Sequence, residues 1–271
     1  MLSKLLKYEF RTTGRTLLPI YGGVLLLSLL CALLNLVSDS VLPLNDSSLF
    51  WFFSSILEVI TAVGFLVIFV ACLFVLLQRF YRLLGDQGYL MLSLPATASQ
   101  HIASKLITAC CWSIITLLVS LLCGAILTSD LSDIRFSWPR LGGTFGIHAF
   151  VVTVIVVLFL LSLLCGFYLF FYLCFAIGGQ WPQQRLLASI VCYFVLNFVL
   201  QILGVLLLIL FGVFLNNNTN LVLQIAQSLE GMDASVATYL VAIVLLLGSI
   251  LWDLILWGAT QFFMTKRLNL A

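Results

Sequence analysis

Charge is what this chain has least of. Only 8% of its 271 residues are Asp, Glu, Lys or Arg, while 63% are hydrophobic. A soluble chain of this length needs far more polar surface to cover one core, so a soluble globular protein is excluded. Catalytic punctuation is missing as well. No G-x-x-x-x-G-K-[S/T] occurs, and no connecting segment is long enough to house a nucleotide-binding domain. G-x-S-x-G and H-E-x-x-H are also absent, which leaves no constellation for an intramembrane enzyme. Cysteine is present eight times but never as C-x-x-C, and every copy falls inside an apolar run. That pattern fits neither a disulfide framework nor a metal site.

What the chain does have is long apolar stretches, with a mean hydropathy of +1.23. About 20 residues of helix cross a bilayer. Six runs meet that length: 17–37, 51–77, 106–128, 144–177, 187–215 and 236–263. Barrel strands would show segments of about ten residues with alternating polarity, and Val151–Leu164 alternates nowhere. The fold class is therefore all-α: one six-helix transmembrane domain, with the fourth run long enough to tilt, or to kink near Gly166.

The few charges set the orientation. Lys4, Lys7, Arg11, Arg15, Arg79, Arg82, Lys105, Arg185, Lys266 and Arg267 all fall on one side if the helices alternate. Arg135 and Arg140 fall on the other, among most of the acids. The positive-inside rule puts both termini, the loop 78–105 and the tail 264–271 in the cytoplasm. The only histidines, His101 and His148, then lie on opposite sides and cannot share a metal. Positive charge ahead of an apolar stretch also describes a signal peptide, but sixteen residues containing Glu9 make a long leading region and no small-x-small site follows. An uncleaved first span is expected.

Residues 1–16 place Leu2, Leu5, Leu6 and Phe10 on one helical face, with Lys4, Lys7, Arg11 and Arg15 around the remainder. This suits a helix in the headgroup plane facing anionic lipid, and equally an ordinary basic tail that sets topology. Gly14 offers a flexible point before the first span. In the central loop, Asp86 can cap a short helix running to about Ser93. Tyr89, Leu90, Leu92 and Leu94 give that helix an apolar surface too large for a free loop. Pro95 ends it and starts another, which leads through Lys105 into the third span. The apolar surface either packs on the protein's own helix ends or docks into a groove on a cytoplasmic partner.

Ionisable and amide groups inside spans are costly, so each is a candidate for a transport pathway. Glu58 shares a face with Ser54, Ser55 and Thr61, about 10 Å below the outer surface at 1.5 Å per residue. Asp253 lies about 18 Å from the inner end between Trp252 and Trp257. Tyr193, Asn197, Gln201 and Gly204 form a stripe on the fifth span. These groups either line a central cavity or tie helices together with hydrogen bonds. Thr116, Ser120 and Gly124 form a small-residue ridge on the third span that suits packing.

Two passages resemble the membrane subunits of ABC transporters, specifically the small bacterial type-2 exporter permeases. The opening MLSKLLKYEFRTTGRTLLPIY is similar to their N-terminal elbow and first span. FYRLLGDQGYLMLSLPATASQHIASKLITACCW is similar to their first intracellular loop, with Gly88, Leu90, Leu92, Leu94-Pro95-Ala96-Thr97 and Lys105 in the family's order. The likeness covers the first 115 residues. Ala98 stands where family members commonly carry Arg. The resemblance implies a coupling helix at about Asp86–Leu94, with Asp86, Gly88, Tyr89, Leu90, Leu92, Leu94 and Pro95 meeting a separate ATPase subunit. It further implies a second permease copy or paralogue, a bacterial plasma membrane, and ATP and Mg bound by the partner rather than by this chain. No nucleic-acid partner is implied. The rival expectation is a six-span sensor, assembly factor or secondary transporter without an ATPase.

Overall fold

The structure, a computed structural model, describes residues 2–40, 48–84, 97–128, 146–181, 183–219 and 234–266. These form six helices: α1 (Leu2–Ser40), α2 (Ser48–Leu83), α3 (Ala98–Thr128), α4 (Gly146–Gly178), α5 (Arg185–Asn217) and α6 (Ala234–Lys266). All six are long and apolar enough to cross a membrane, so this is a multi-pass membrane protein with an all-helical described fold. Hydrocarbon offers no water to an unpaired backbone amide, and a helix satisfies its own ladder.

The helices outrun the apolar runs that announce them. α2 continues past residue 77 to Leu83, and α3 begins at Ala98, close to the Pro95 start expected for the helix that leads into the apolar run at 106. Hydropathy marks only the part of a helix that needs lipid, whereas the backbone stays helical beyond it. Thr97 precedes α3 in a Thr-x-x-Gln arrangement. The Gln100 and His101 amides donate to the Thr97 carbonyl at 3.0 and 3.2 Å, and the Thr97 amide reaches back to Gln100 Oε1 at 3.4 Å. That is half of a capping box, and it supplies a helix start just beyond Pro95.

The elbow also differs from expectation. Residues 2–16 belong to the same continuous helix as the first span, with Gly14 and Pro19 inside it. Gly14 serves contact rather than flexibility: a Cβ there would stand 3.2 Å from the Trp112 indole. Pro19 removes one backbone donor, a loss that membrane helices tolerate where neighbours or local adjustment re-satisfy the carbonyl.

The helices group as two compact units of three. In unit 1, α1 packs along α2 and α3, and α2 packs on α3. Its interior is polar as well as apolar. Tyr21 OH and Thr116 Oγ1 lie 2.6 Å apart, Thr116 donates to Cys72 Sγ at 3.1 Å, and Cys31 meets Thr61 at 3.6 Å. Trp112 sits between Phe10 and Tyr21, with ring centroids 6.3 and 6.1 Å away. Interhelical hydrogen bonds in lipid contribute about 0.6 kcal/mol each, so this network orients the helices more than it stabilises them.

In unit 2, α4 packs along both α5 and α6. Leu256, Thr260 and Met264 recur every fourth residue as the buried stripe of α6. Tyr168, Tyr172 and Cys174 are buried on α4. The α4–α5 connection is tight: a Cβ on Gly178 would lie 2.6 Å from the Ser189 backbone nitrogen and 2.7 Å from its Cα. Only glycine allows that approach. Arg185 Nη1 donates to the Leu84 carbonyl at 3.2 Å, tying the start of α5 to the chain just beyond α2. α4 runs uninterrupted through Gly166, whose role is described below.

Candidate functional site

Unit 1 carries a buried charge cluster that none of the sequence patterns singled out. Glu9 on the second turn of α1 is 6% exposed. Its Oε2 accepts from Arg79 Nη1 at 2.9 Å and its Oε1 accepts from Lys105 Nζ at 2.9 Å. Arg79 Nη1 also donates to the Glu9 carbonyl at 2.9 Å and to Thr13 Oγ1, while Thr13 returns its own proton to the Glu9 carbonyl at 2.8 Å. One carboxylate thus holds the last turns of α2 and the second turn of α3 against α1. Burying three charges costs desolvation, which their attraction offsets only when geometry and remaining hydrogen bonds are good. Here both carboxylate oxygens are paired, and the arginine is extended onto a carbonyl and a hydroxyl.

The signal for this cluster was present but faint. Glu9 is the one acid before Asp39, set among four basic residues. Its partners are 70 and 96 residues away, so no local pattern could name them. Lys4, Lys7, Arg11 and Arg15 are all exposed on α1. The last three border a cleft of about 940 Å³ floored by Phe10 and Trp112.

Unit 2 contains the second site. Asp253 on α6 accepts from the Ser162 hydroxyl of α4 through Oδ2 at 2.6 Å. Its Oδ1 occupies the space that a side chain at residue 166 would need, with 2.7 Å between that oxygen and an ideal Cβ on Gly166. Gly166 is therefore a seat for a carboxylate. Around this pair lies a cavity of about 510 Å³, lined by Phe167, Phe170, Tyr193, Asn197, Ser249 and Trp252 among others. Phe171 stacks on Tyr193 with centroids 5.2 Å apart and planes 12° apart, and Phe170 meets Tyr193 edge-on at 5.6 Å. Ser162 stands at the midpoint of α4, so the cavity lies deep in the span.

Of the candidate pathway residues, Asn197 and Asp253 come together in this cavity. Gln201 does not: it is exposed on α5 and borders a separate shallow groove with Phe198 and Ile202. The Tyr193–Gly204 stripe is thus divided, its first half in the cavity and its second half on the surface. Glu58 belongs to unit 1 and is exposed, whereas Thr61 on the same helix is buried and bonds back to the Leu57 carbonyl at 2.7 Å. Asp86, Gly88, Tyr89, Leu90, Leu92, Leu94 and Pro95 lie outside the described residues. None of the eight cysteines forms a disulfide, and the described residues hold no group of three or more His, Cys, Asp or Glu suited to a metal. Compared with known proteins, the chain matches no family model, no curated protein and no solved structure.

Proposed function

We propose that the chain is the permease subunit of an ATP-driven ABC exporter, coupled through its 78–105 loop to a separate ATPase. The observation that carries this reading is the anchoring of the loop's two roots. Arg79 and Lys105 flank the 85–96 segment, and both are held by the same buried carboxylate of Glu9. A lever that receives force from a partner must be stiff where it joins the membrane helices, or the motion is lost before it reaches them. A loop that only reversed the chain would not need its two roots joined through a buried ion cluster. The Gly88-to-Lys105 pattern, read as family resemblance, fits that lever.

In this reading the termini and the anchored end face the cytoplasm of a bacterial cell, where the ATPase holds ATP and Mg. Two permease chains form the pathway. Exposed polar groups within spans support a second chain: Glu58 on α2 and Gln201 on α5 present to the surface groups that lipid solvates poorly. The alternating conformations driven by ATP then move substrate outward.

The test is isolation of the tagged chain from native membranes, followed by assay of the co-purified material for Mg-dependent ATP hydrolysis by a Walker-motif subunit. Tyr89, Leu90 and Leu92 are then replaced together by Asp. Loss of that subunit with the chain still folded in the membrane is the expected result. A chain that never brings down a Walker-motif protein, or that keeps it after the triple replacement, overturns the assignment in favour of a protein working without an ATPase.

A further inference from the structure

The cavity around Asp253 has a chemistry narrower than a general passage for solutes. Among the described residues, its only ionisable lining group other than the Tyr193 phenol is the carboxylate, and no described Lys, Arg or His lines it. Among the described residues, the only ion pairs are those of Glu9. A carboxylate deep in a span is therefore offset by one hydroxyl, that of Ser162, rather than by a cation. The walls are four aromatic rings: Phe167, Phe170, Tyr193 and Trp252. Phe167 and Trp252 are 43% and 40% exposed, so the cavity opens at the surface of unit 2 and is accessible from the side.

We infer that this cavity binds a single lipophilic organic cation, with Asp253 as its counter-charge and the aromatic faces as its walls. Three considerations converge on that class. A volume of about 510 Å³ falls in the range of small-molecule sites, about 300–1,000 Å³. Aromatic faces carry negative quadrupole potential and attract a desolvated cation within about 6 Å of a ring centroid. A cation also relieves the cost of an intramembrane carboxylate, whereas an anion would add to it. An inorganic cation fits less well, because magnesium or calcium is held by six or more oxygens and the lining is mostly carbon. Asn197 adds an amide at the rim for a polar substituent. As cargo, such a cation rests on the permease reading; as a ligand, it does not.

The experiment uses the full-length chain in detergent without any ATPase, so that its outcome is independent of the coupling assignment. Tetraphenylphosphonium is the probe, with tetraphenylborate as the probe of the same shape and opposite charge, and equilibrium dialysis reads binding. Saturable binding of one phosphonium per chain is expected, weakened at least about tenfold in Asp253→Asn, while tetraphenylborate shows no saturable site. Trp252→Leu keeps the carboxylate and removes one aromatic wall, and a several-fold loss is expected. Trp181→Leu, outside the cavity, serves as the control and binds as the parent chain does. If Asp253→Asn does not fold, Trp252→Leu decides the matter alone. Equal binding of the two probes, or unchanged phosphonium binding in the variants that fold, overturns the proposal and leaves Asp253 as a hydrogen-bond partner of Ser162. Competition by millimolar sodium with no aromatic dependence would replace it with an inorganic site.

Discussion

Units 1 and 2 each contain three helices of similar length, yet they place polar groups for different ends. Unit 1 closes around its polar residues: Glu9, Thr13, Lys105 and Thr116 are all buried and hydrogen-bonded, and 28% of α1's most apolar stretch is buried. Unit 2 stays open. None of α5's most apolar stretch is buried, and the one carboxylate of α6 borders a cavity rather than an ion pair. A closed polar core fixes geometry, because the bonds of Glu9 to Arg79 and Lys105 and of Tyr21 to Thr116 each tie two helices. An open one trades that rigidity for a place where something else can bind. The proposed division of labour, a rigid anchor in one unit and a binding cavity in the other, follows from that contrast.

The comparison breaks most visibly at Glu9. Glu9→Gln removes the only negative charge from a cluster that holds the buried Lys105 and the half-buried Arg79, and stranding such charges costs about 3–5 kcal/mol. The native thiols report on each unit separately, since Cys72 and Cys123 are buried in unit 1 and Cys174 in unit 2. On heating in the presence of a maleimide, the variant should label Cys72 and Cys123 at lower temperature while Cys174 keeps its original profile. Simultaneous early labelling of all three would mean that the two units unfold as one, and that their polar contents do not divide the molecule.

Gly178→Ala makes the reciprocal test with a smaller effect. The new Cβ would collide with the Ser189 backbone, so α4 and α5 must separate, an overpacking cost of about 1–3 kcal/mol. Here Cys174, one turn from the substitution, should become reactive earlier while Cys72 does not change. An unaltered Cys174 profile would show that the α4–α5 junction yields without cost, and that unit 2 is looser than its close approach implies.

These effects also show where reading the chain succeeds and where it stops. Six spans were legible because hydrocarbon demands about 20 apolar residues in a row, a constraint written continuously along the sequence. The anchor was not, because Glu9 looks like an ordinary interruption in a basic segment until Arg79 and Lys105 are folded onto it. Gly14 misled in the opposite direction: glycine before an apolar run suggests a hinge, but the reason for glycine is Trp112, 98 positions away by sequence and in contact through space. Asp253 announced itself by being a carboxylate within a span. Ser162 and Gly166, which seat it, are ordinary small residues in a helix of mostly apolar ones, and nothing local distinguishes them. The Thr97-to-Gln100 cap was readable from its spacing and would have placed the start of α3 nearer Ala98 than Pro95.

The finest distinction lies between the two halves of the α5 stripe, where Asn197 lines the cavity and Gln201 faces outward. An amide turned to lipid has unmet hydrogen-bonding capacity, whereas one turned to a second chain can meet it, at about 0.6 kcal/mol per bond. Gln201→Leu should therefore leave the unfolding of unit 2 in the monomer almost unchanged, and shift the dissociation of any detergent-stable dimer by less than about threefold. Sedimentation across a range of protein-to-detergent ratios measures that shift. A population identical to the parent chain's at every ratio removes Gln201 from a contact between copies and makes it a lipid-facing residue. The weakening, if present, assigns the open face of α5 to a contact between copies of the chain and accounts for how little of α5 unit 2 buries.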